Sequence, residues 1–135
     1  MHILIADDNA TLRSRFRELL TESFPFAQIS EAVDTFEVLS QLALVPSDVL
    51  LLDINMPGRT GLEVLDELKI QYPQTRVIVL SFHPGAQYAV RSLRAGAHAY
   101  LNKDNVPDDL VHTVKDVLKA RQSVDSDRRA AATVV

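Results

Sequence analysis

The chain has no cysteine, and it has no apolar run long enough to cross a membrane. Without cysteine there is no disulfide, no thiolate metal ligand and no thiol nucleophile, which fits a reducing compartment. A membrane-spanning helix needs about 20 consecutive apolar residues, and no run approaches that length. The opening residues, MHILIADDN, carry no basic segment, so we expect no secretory signal and a cytoplasmic location.

Positive charge is also scarce. The formal net charge is −4, whereas a surface that binds nucleic acid needs clustered Lys and Arg. The only short basic cluster is Arg128–Arg129, near the C-terminus. We therefore expect that any contact with DNA is made by another domain.

The apolar residues that are present fall into five short runs. The 135 residues are about the length of one domain, and 47% of them are hydrophobic, as in a soluble globular protein. Three of the runs are nearly unbroken aliphatic stretches, which is typical of parallel strands covered on both faces. The predicted strands are Ile3–Ala6, Ala27–Ile29, Val49–Leu52, Val77–Leu80 and Ala99–Leu101.

Helical spacing separates these runs. Asn9, Asp34, Thr60 and Asn105 precede four of the helical segments and are predicted to cap them. The residues expected on the buried sides of the five helices are, in chain order, Leu12, Phe16, Leu19 and Leu20; Phe36, Leu39 and Ala43; Leu62, Leu65 and Leu68; Ala89, Val90 and Leu93; and Leu110, Val114, Val117 and Leu118.

Strand and helix alternate five times, which predicts an α/β fold with helices on both faces of a parallel sheet. At this length we expect a flavodoxin-like (βα)5 domain with strand order 2-1-3-4-5. The apolar periodicity stops after about residue 122. We therefore predict one domain over residues 1–122 and a C-terminal tail or linker over 123–135.

Acidic residues follow two of the predicted strands. Asp7 and Asp8 end the first strand and Asp53 ends the third, on either side of the point where strand order reverses. Three carboxylates in one crevice repel one another unless a cation intervenes. Oxygen ligands without His or Cys favour Mg²⁺. Asp7 and Asp8 taken alone could equally well serve only to cap the first helix.

The crevice also suits phosphoryl transfer. Asp53 is a candidate nucleophile, and such transfer needs positioning and charge neutralisation more than it needs a base. Ser81 ends the fourth strand and Lys103 follows the fifth, so both are candidate donors. Mg²⁺ and Lys103 together would neutralise the three acids, whereas a dianionic phosphoryl group would leave excess negative charge. A further donor such as Ser81 is then required.

The motifs resemble the receiver domains of two-component response regulators over residues 1 to about 122. The matching segments are IADDN (5–9), LLDINMPGRTGLEVL (51–65), VLS (79–81) and AGAHAYLNKD (95–104). The last segment, with Asp104 rather than proline after Lys103, looks most like the NarL/FixJ branch. Receivers of that branch usually precede a C-terminal helix-turn-helix domain that binds DNA. We expect that such a domain is absent from this chain.

The resemblance implies a role for each site residue. Asp53 would be the phosphoacceptor, and Asp7, Asp8, Asp53 and the backbone carbonyl of Asn55 would hold Mg²⁺. Ser81 and Lys103 would contact the phosphoryl group. Ser81 and Tyr100 would form the switch, in which the ring turns as the hydroxyl moves inward. All seven of these residues lie in the matching segments: Asp7, Asp8, Asp53, Asn55, Ser81, Tyr100 and Lys103.

The resemblance also implies partners. A histidine kinase would donate the phosphoryl group, and the surface of helix 4, strand 5 and helix 5 would control an output, which we expect to be transcription through the absent domain. Four residues of helix 4 are expected on the output or dimer surface, and a homodimer on phosphorylation is one possible outcome. They are Gln87, Tyr88, Arg91 and Arg94. Phe82 departs from the small residue usual after Ser81 and is expected to narrow access to the site.

Two other functions would use parts of the same set of residues. An aspartyl-phosphate hydrolase of the haloacid-dehalogenase type needs a second Asp two positions after its nucleophile, and Asn55 occupies that position. We therefore expect a signalling phosphoacceptor, not an enzyme that turns over small substrates. The remaining alternative is a stand-alone receiver or pseudo-receiver that acts as a protein-interaction module.

Overall fold

The computed structural model describes residues 1–58, 61–82 and 86–119, without the side chains of residues 61, 62 and 86–88. The strands are β1 (His2–Ala6), β2 (Gln28–Ala32), β3 (Val49–Asp53), β4 (Arg76–Ser81) and β5 (Ala99–Asn102). The helices are α1 (Ala10–Ser23), α2 (Thr35–Leu44), α3 (Gly61–Gln71) and α4 (Ala86–Arg94). A 3-10 turn (Lys103–Asn105) leads into α5, which is described over residues 106–119.

The five strands form one parallel sheet in the order β2-β1-β3-β4-β5. The predicted strand order and flavodoxin-like fold are therefore confirmed. The predicted positions of the strands hold to within a residue or two, except that β2 continues to Ala32. The boundary predicted at residue 122 and the tail lie outside the described residues.

Alternate residues of the central strands pack into two separate hydrophobic cores. Leu50 and Leu52 of β3 pack beneath α2 and α3, while Val49 and Leu51 pack against α1 and α5. Every residue of β3 is buried, and burial of each such aliphatic side chain contributes about 1.5–3 kcal/mol. The sheet is thus a rigid support whose carboxyl edge presents polar residues. No helix among the described residues is both long and apolar enough to span a membrane.

Side-chain caps fix where the first two helices begin. Asn9 Oδ1 accepts a hydrogen bond from Leu12 N at 3.1 Å, and Asp34 Oδ1 accepts one from Glu37 N at 2.8 Å. Both predicted caps are confirmed, and each satisfies a backbone donor that a helix start leaves open. Thr60, the cap predicted for α3, lies outside the described residues.

The predicted buried side of α2 is wrong at Phe36 and Ala43, while the third predicted residue, Leu39, is half-buried against the core. Phe36 is 77% exposed and Ala43 is also exposed, whereas Val38 and Leu42 are fully buried. Thr35 is buried as well, because the loop after β3 approaches it so closely that a Cβ on Gly58 would lie 2.8 Å from Thr35 Oγ1. That contact, between segments distant in sequence, orients the first turn of the helix.

The predicted buried side of α4 is also wrong. Val90 and Leu93 are 45% and 49% exposed, and Ala89 is only half-buried. Among the α4 side chains that the structure describes, Ser92 is the one that is fully buried, and Ala95, three positions later, packs against the core. Small residues on this side let the helix lie close to the sheet, so its larger apolar side chains point outward.

Candidate functional site

Three carboxylates converge at the carboxyl edge of the sheet. One oxygen from each of Asp7, Asp8 and Asp53 lies within 4.8 Å of the other two. The neighbouring strands β1 and β3 end in register, which brings Asp7 and Asp53 together. Both are almost completely buried, while Asp8 is exposed at the mouth of the crevice. The structure therefore brings together the acids that the sequence placed at one crevice.

Lys103 joins the two buried acids. Its Nζ lies 2.7 Å from Asp7 Oδ2 and 3.1 Å from Asp53 Oδ2, and its side chain is 4% exposed. The 3-10 turn directly after β5 carries the ammonium into the crevice. One cation between two buried carboxylates offsets part of the cost of burying their charges.

Hydrogen bonds hold Asp7 on three sides. Its N–H donates to Ala32 O at 3.1 Å, and its Oδ1 accepts from Asn9 N at 2.8 Å. Its carbonyl oxygen accepts from Arg13 Nη1 at 2.6 Å. Oδ2 is buried, accepts no hydrogen bond of good geometry, and has the ion pair with Lys103. Asp7 Oδ2 therefore already contacts one cation, the Lys103 ammonium, and a metal ion at this oxygen would share it with Lys103 or displace it.

Asp53 is held less completely, and its pKa is perturbed. Burial raises the pKa of Asp53, and the negative charge of Asp7 acts in the same direction. The backbone amide of Asn55, which donates to Asp53 Oδ1 at 3.0 Å, and the charge of Lys103 oppose this rise without overcoming it. The carboxylate of Asp53 is thus poorly stabilised and gains from any further positive charge.

The donor set fits a hard divalent cation. Asp7 Oδ2 is a buried oxygen that contacts the Lys103 ammonium, and one carboxylate oxygen from each of Asp7, Asp8 and Asp53 lies within 4.8 Å of the other two. Oxygen-only ligands of this kind suit Mg²⁺, which needs few protein carboxylates. Asn55 lies at the exposed mouth beside Asp53. These residues could therefore hold Mg²⁺.

Ser81, Tyr100 and Phe82 lie on the side of the crevice formed by β4 and β5. Ser81 is fully buried at the end of β4, and Tyr100 is half-buried against the core under α2 and α3. The ring of Phe82 is 51% exposed, with its centroid 5.1 Å from Lys103 Nζ. That distance is within the range of a cation–π contact.

The residues predicted for the output surface are only partly described. Arg91 and Arg94 are exposed on α4, and the side chains of Gln87 and Tyr88 lie outside the described residues. The sequence reasoning missed Arg13, which contacts Asp7 and is held by Glu31. No sequence signal indicated this contact, because the predicted second strand ended at Ile29 and did not include Glu31.

Comparisons with known proteins agree on the family. The response regulator receiver domain model matches residues 3–115. The transcriptional regulatory protein YhcZ of Bacillus subtilis is 32% identical over 113 residues, which cover 84% of this chain and 53% of that protein. The oxygen regulatory protein NreC of Staphylococcus aureus is 30% identical over 126 residues, which cover 93% and 58%. The chain thus spans about half the length of these relatives.

Solved structures show the same fold. The receiver domain of the putative response regulator NarL from Mycobacterium tuberculosis superposes with a TM-score of 0.79 at 28% identity, covering 87% of this chain and 95% of that one. A CheY-like receiver domain protein from Methanospirillum hungatei gives a TM-score of 0.80 at 27% identity, covering 90% and 96%. With five strands in the receiver order and an acid cluster at their carboxyl edge, the chain belongs to the response regulator receiver domain family.

Proposed function

We propose that this chain is a phosphorylatable switch of a two-component system, with Asp53 as the phosphoacceptor. The observation that carries the proposal is the position of Asp53, which is buried beside Asp7 and Lys103 at the carboxyl edge of the sheet. A histidine kinase is the proposed phosphodonor, and the cytoplasm the proposed location. The chain is a signalling protein in this proposal, with only slow self-phosphorylation from small donors and slow autodephosphorylation.

In the proposed reaction a carboxylate oxygen of Asp53 attacks the donor phosphorus. A new O–P bond forms as the P–N bond to the donor histidine breaks, and the donor ring, which already carries a proton on its other nitrogen, leaves as a neutral imidazole. The Asn55 amide fixes Asp53 Oδ1, which leaves Oδ2, beside Lys103, as the oxygen that attacks. Asp7, Asp8, Asp53 and the Asn55 carbonyl would hold Mg²⁺. When bound, this ion would neutralise charge that develops on the transferred group.

Lys103 and Ser81 are proposed to contact the phosphoryl group. Lys103 already lies 3.1 Å from Asp53 Oδ2, so it is close to any group attached there. Ser81 ends β4, whose register places Leu80 opposite Asp53. Movement of the Ser81 hydroxyl toward the phosphoryl oxygens, followed by rotation of Tyr100, would pass the change to α4 and β5. A shift from mostly inactive to mostly active needs about 5.5 kcal/mol of differential stabilisation.

The output is proposed to be control of transcription. The relatives include transcriptional regulatory proteins, and this chain spans about half of their length. The proposed output surface comprises α4, β5 and α5, with Gln87, Tyr88, Arg91 and Arg94. Homodimer formation there on phosphorylation, with DNA bound by a separate domain, would complete the switch.

Intact-mass spectrometry after incubation with acetyl phosphate and Mg²⁺ tests the phosphoacceptor. We expect one phosphoryl group on the wild-type chain, none on Asp53→Asn, and one on the matched control Asp66→Asn. Asp66 is an exposed acid on α3, away from the acid cluster. Equal labelling of Asp53→Asn and wild type would overturn the assignment.

A second candidate function, a pseudo-receiver that acts only by binding proteins, is favoured by one observation. Lys103 already pairs with the two buried acids, so part of the negative charge in the cluster is compensated without a metal ion. Calorimetric titration with Mg²⁺ separates the two candidates. Binding in the millimolar range or tighter supports the switch, and the absence of binding at millimolar Mg²⁺ supports the pseudo-receiver.

A further inference from the structure

Arg13 reaches from α1 back to the end of β1. Its Nη1 donates to the main-chain carbonyl of Asp7 at 2.6 Å, and its Nε donates to Glu31 Oε1 at 3.0 Å. The Arg13 side chain is only 14% exposed. The guanidinium therefore links β1, β2 and α1 directly behind the acid cluster, although it contacts no carboxylate of that cluster.

The contact with Arg13 completes the restraint of Asp7. The N–H of Asp7 donates to Ala32 O and its Oδ1 accepts from Asn9 N. The main-chain carbonyl is the third polar group of Asp7, and Arg13 donates a hydrogen bond to that oxygen. With backbone and Oδ1 both fixed, Oδ2 is directed into the crevice toward Lys103. The orientation of a metal-binding oxygen thus depends on a residue that does not touch the metal site.

Glu31 holds Arg13 in this position. Its second oxygen accepts from Arg17 Nε at 2.9 Å, so one carboxylate binds two guanidinium groups. Burial on its own would raise the pKa of Glu31, but the hydrogen bonds and charges of Arg17 and Arg13 lower it. Glu31 therefore stays ionised and keeps both arginines in place. Arg17 differs in one respect: its other contact is with Ile29 O, away from Asp7.

We propose that Arg13 is a positioning residue for the acid pair Asp7 and Asp8, acting through the Asp7 carbonyl and held by Glu31. The inference rests on the proposed function, because it takes this acid pair as the Mg²⁺ site. Groups behind metal ligands are known to set affinity by fixing ligand orientation. If Arg13 acted instead as a competing positive charge, its removal would strengthen binding of Mg²⁺. The two roles therefore predict changes of opposite sign.

Calorimetric titration of the full chain with Mg²⁺ distinguishes these roles. Arg13→Lys keeps the charge but cannot make both contacts, and Arg13→Met keeps the stem but loses the charge. We expect both variants to raise the dissociation constant about tenfold, while the control Arg17→Lys stays within about twofold of wild type. Tighter binding by Arg13→Met, or equal affinity of Arg13→Met and Arg17→Lys, would overturn the proposal.

An NMR measurement on the metal-free protein makes the test independent of Mg²⁺ binding. The Asp7 carbonyl and the Asp8 amide belong to the same peptide group, so loss of the hydrogen bond from Arg13 should shift the Asp8 amide resonance. We expect this shift in Arg13→Lys and Arg13→Met and not in Arg17→Lys. Failure of wild type to bind Mg²⁺ would count against the proposed function, whereas an unshifted Asp8 amide in Arg13→Met would overturn the role of Arg13.

Discussion

Lys103 serves two opposing needs of the acid cluster. In the metal-free protein its ammonium compensates Asp7 and Asp53, with which it makes contacts of 2.7 and 3.1 Å. In the proposed switch, bound Mg²⁺ would take over part of that compensation, which would leave Lys103 available to a phosphoryl group. This exchange of partners requires that the contacts of Lys103 with Asp7 and Asp53 can break and form again.

Phe82 contributes to holding Lys103. Its ring centroid lies 5.1 Å from Lys103 Nζ, and a cation over an aromatic face gains about 0.5–1 kcal/mol at an exposed site. We predict that Phe82→Leu, which removes the aromatic face, lowers the free energy of unfolding by about that amount. Phe82→Tyr keeps the aromatic face and should match wild type. Urea denaturation measures both variants.

The comparison of Leu with Tyr at position 82 isolates the aromatic contact from simple loss of apolar area. Phe82 is 51% exposed, so little buried area changes in either variant. Equal unfolding free energies for Phe82→Leu and Phe82→Tyr would show that the ring contributes nothing through Lys103.

At the level of secondary-structure elements, α2 shows which features a sequence pattern can predict and which it cannot. Its cap, Asp34, could be predicted because the cap contacts a backbone amide only three residues away. Its buried side could not be predicted from spacing, because apolar residues occur on several sides of the segment TFEVLSQLAL. The side is selected by long-range packing, including the approach of the Gly58 loop to Thr35.

The same distinction applies to the site. The acids at the strand ends were predictable, because parallel strands bring their carboxyl ends to one edge. The pairing of Lys103 with Asp7 and the contact between Arg13 and the Asp7 carbonyl were not, since neither follows from local spacing. Both depend on how a turn or a helix lies over the finished sheet.

Two substitutions in α2 test which side of the helix is buried. Leu42 is fully buried in the core beneath α2 and α3, whereas Phe36 is 77% exposed. We predict that Leu42→Ala lowers the free energy of unfolding by about 2–5 kcal/mol. Phe36→Ala should change it by less than about 0.5 kcal/mol. Urea denaturation of the two variants is the measurement, and a larger loss for Phe36→Ala would contradict the packing of α2.

For the molecule as a whole, the site is a local source of instability supported by a well-packed sheet. Two aliphatic cores surround β3, and the same strand ends in a buried carboxyl group. Burial raises the pKa of Asp53, and nearby Asp7 adds to this effect. The folded protein therefore disfavours the ionised form of Asp53 that the proposed phosphoryl transfer requires.

The loss of folding stability caused by the buried, ionised Asp53 depends on pH. Because its pKa is raised on folding, Asp53 keeps its proton in the folded state at pH values where the unfolded chain has released it. The folded state then binds more protons, so this group lowers stability as the pH rises from about 4, the ordinary range of an aspartate. The full destabilisation by ionised Asp53 is present above its raised pKa and disappears well below pH 4.

An asparagine side chain carries no charge at any pH, so Asp53→Asn should remove this contribution to the pH dependence of stability. We predict that Asp53→Asn is more stable than wild type at about pH 7, and that the difference shrinks as the pH falls toward about 4. Urea denaturation across this range, without Mg²⁺, measures the difference. Asp66→Asn, at an exposed acid of α3, should show no such trend. A difference between Asp53→Asn and wild type that is constant with pH, or that grows toward acid, would show that the buried Asp53 carboxylate does not destabilise the fold.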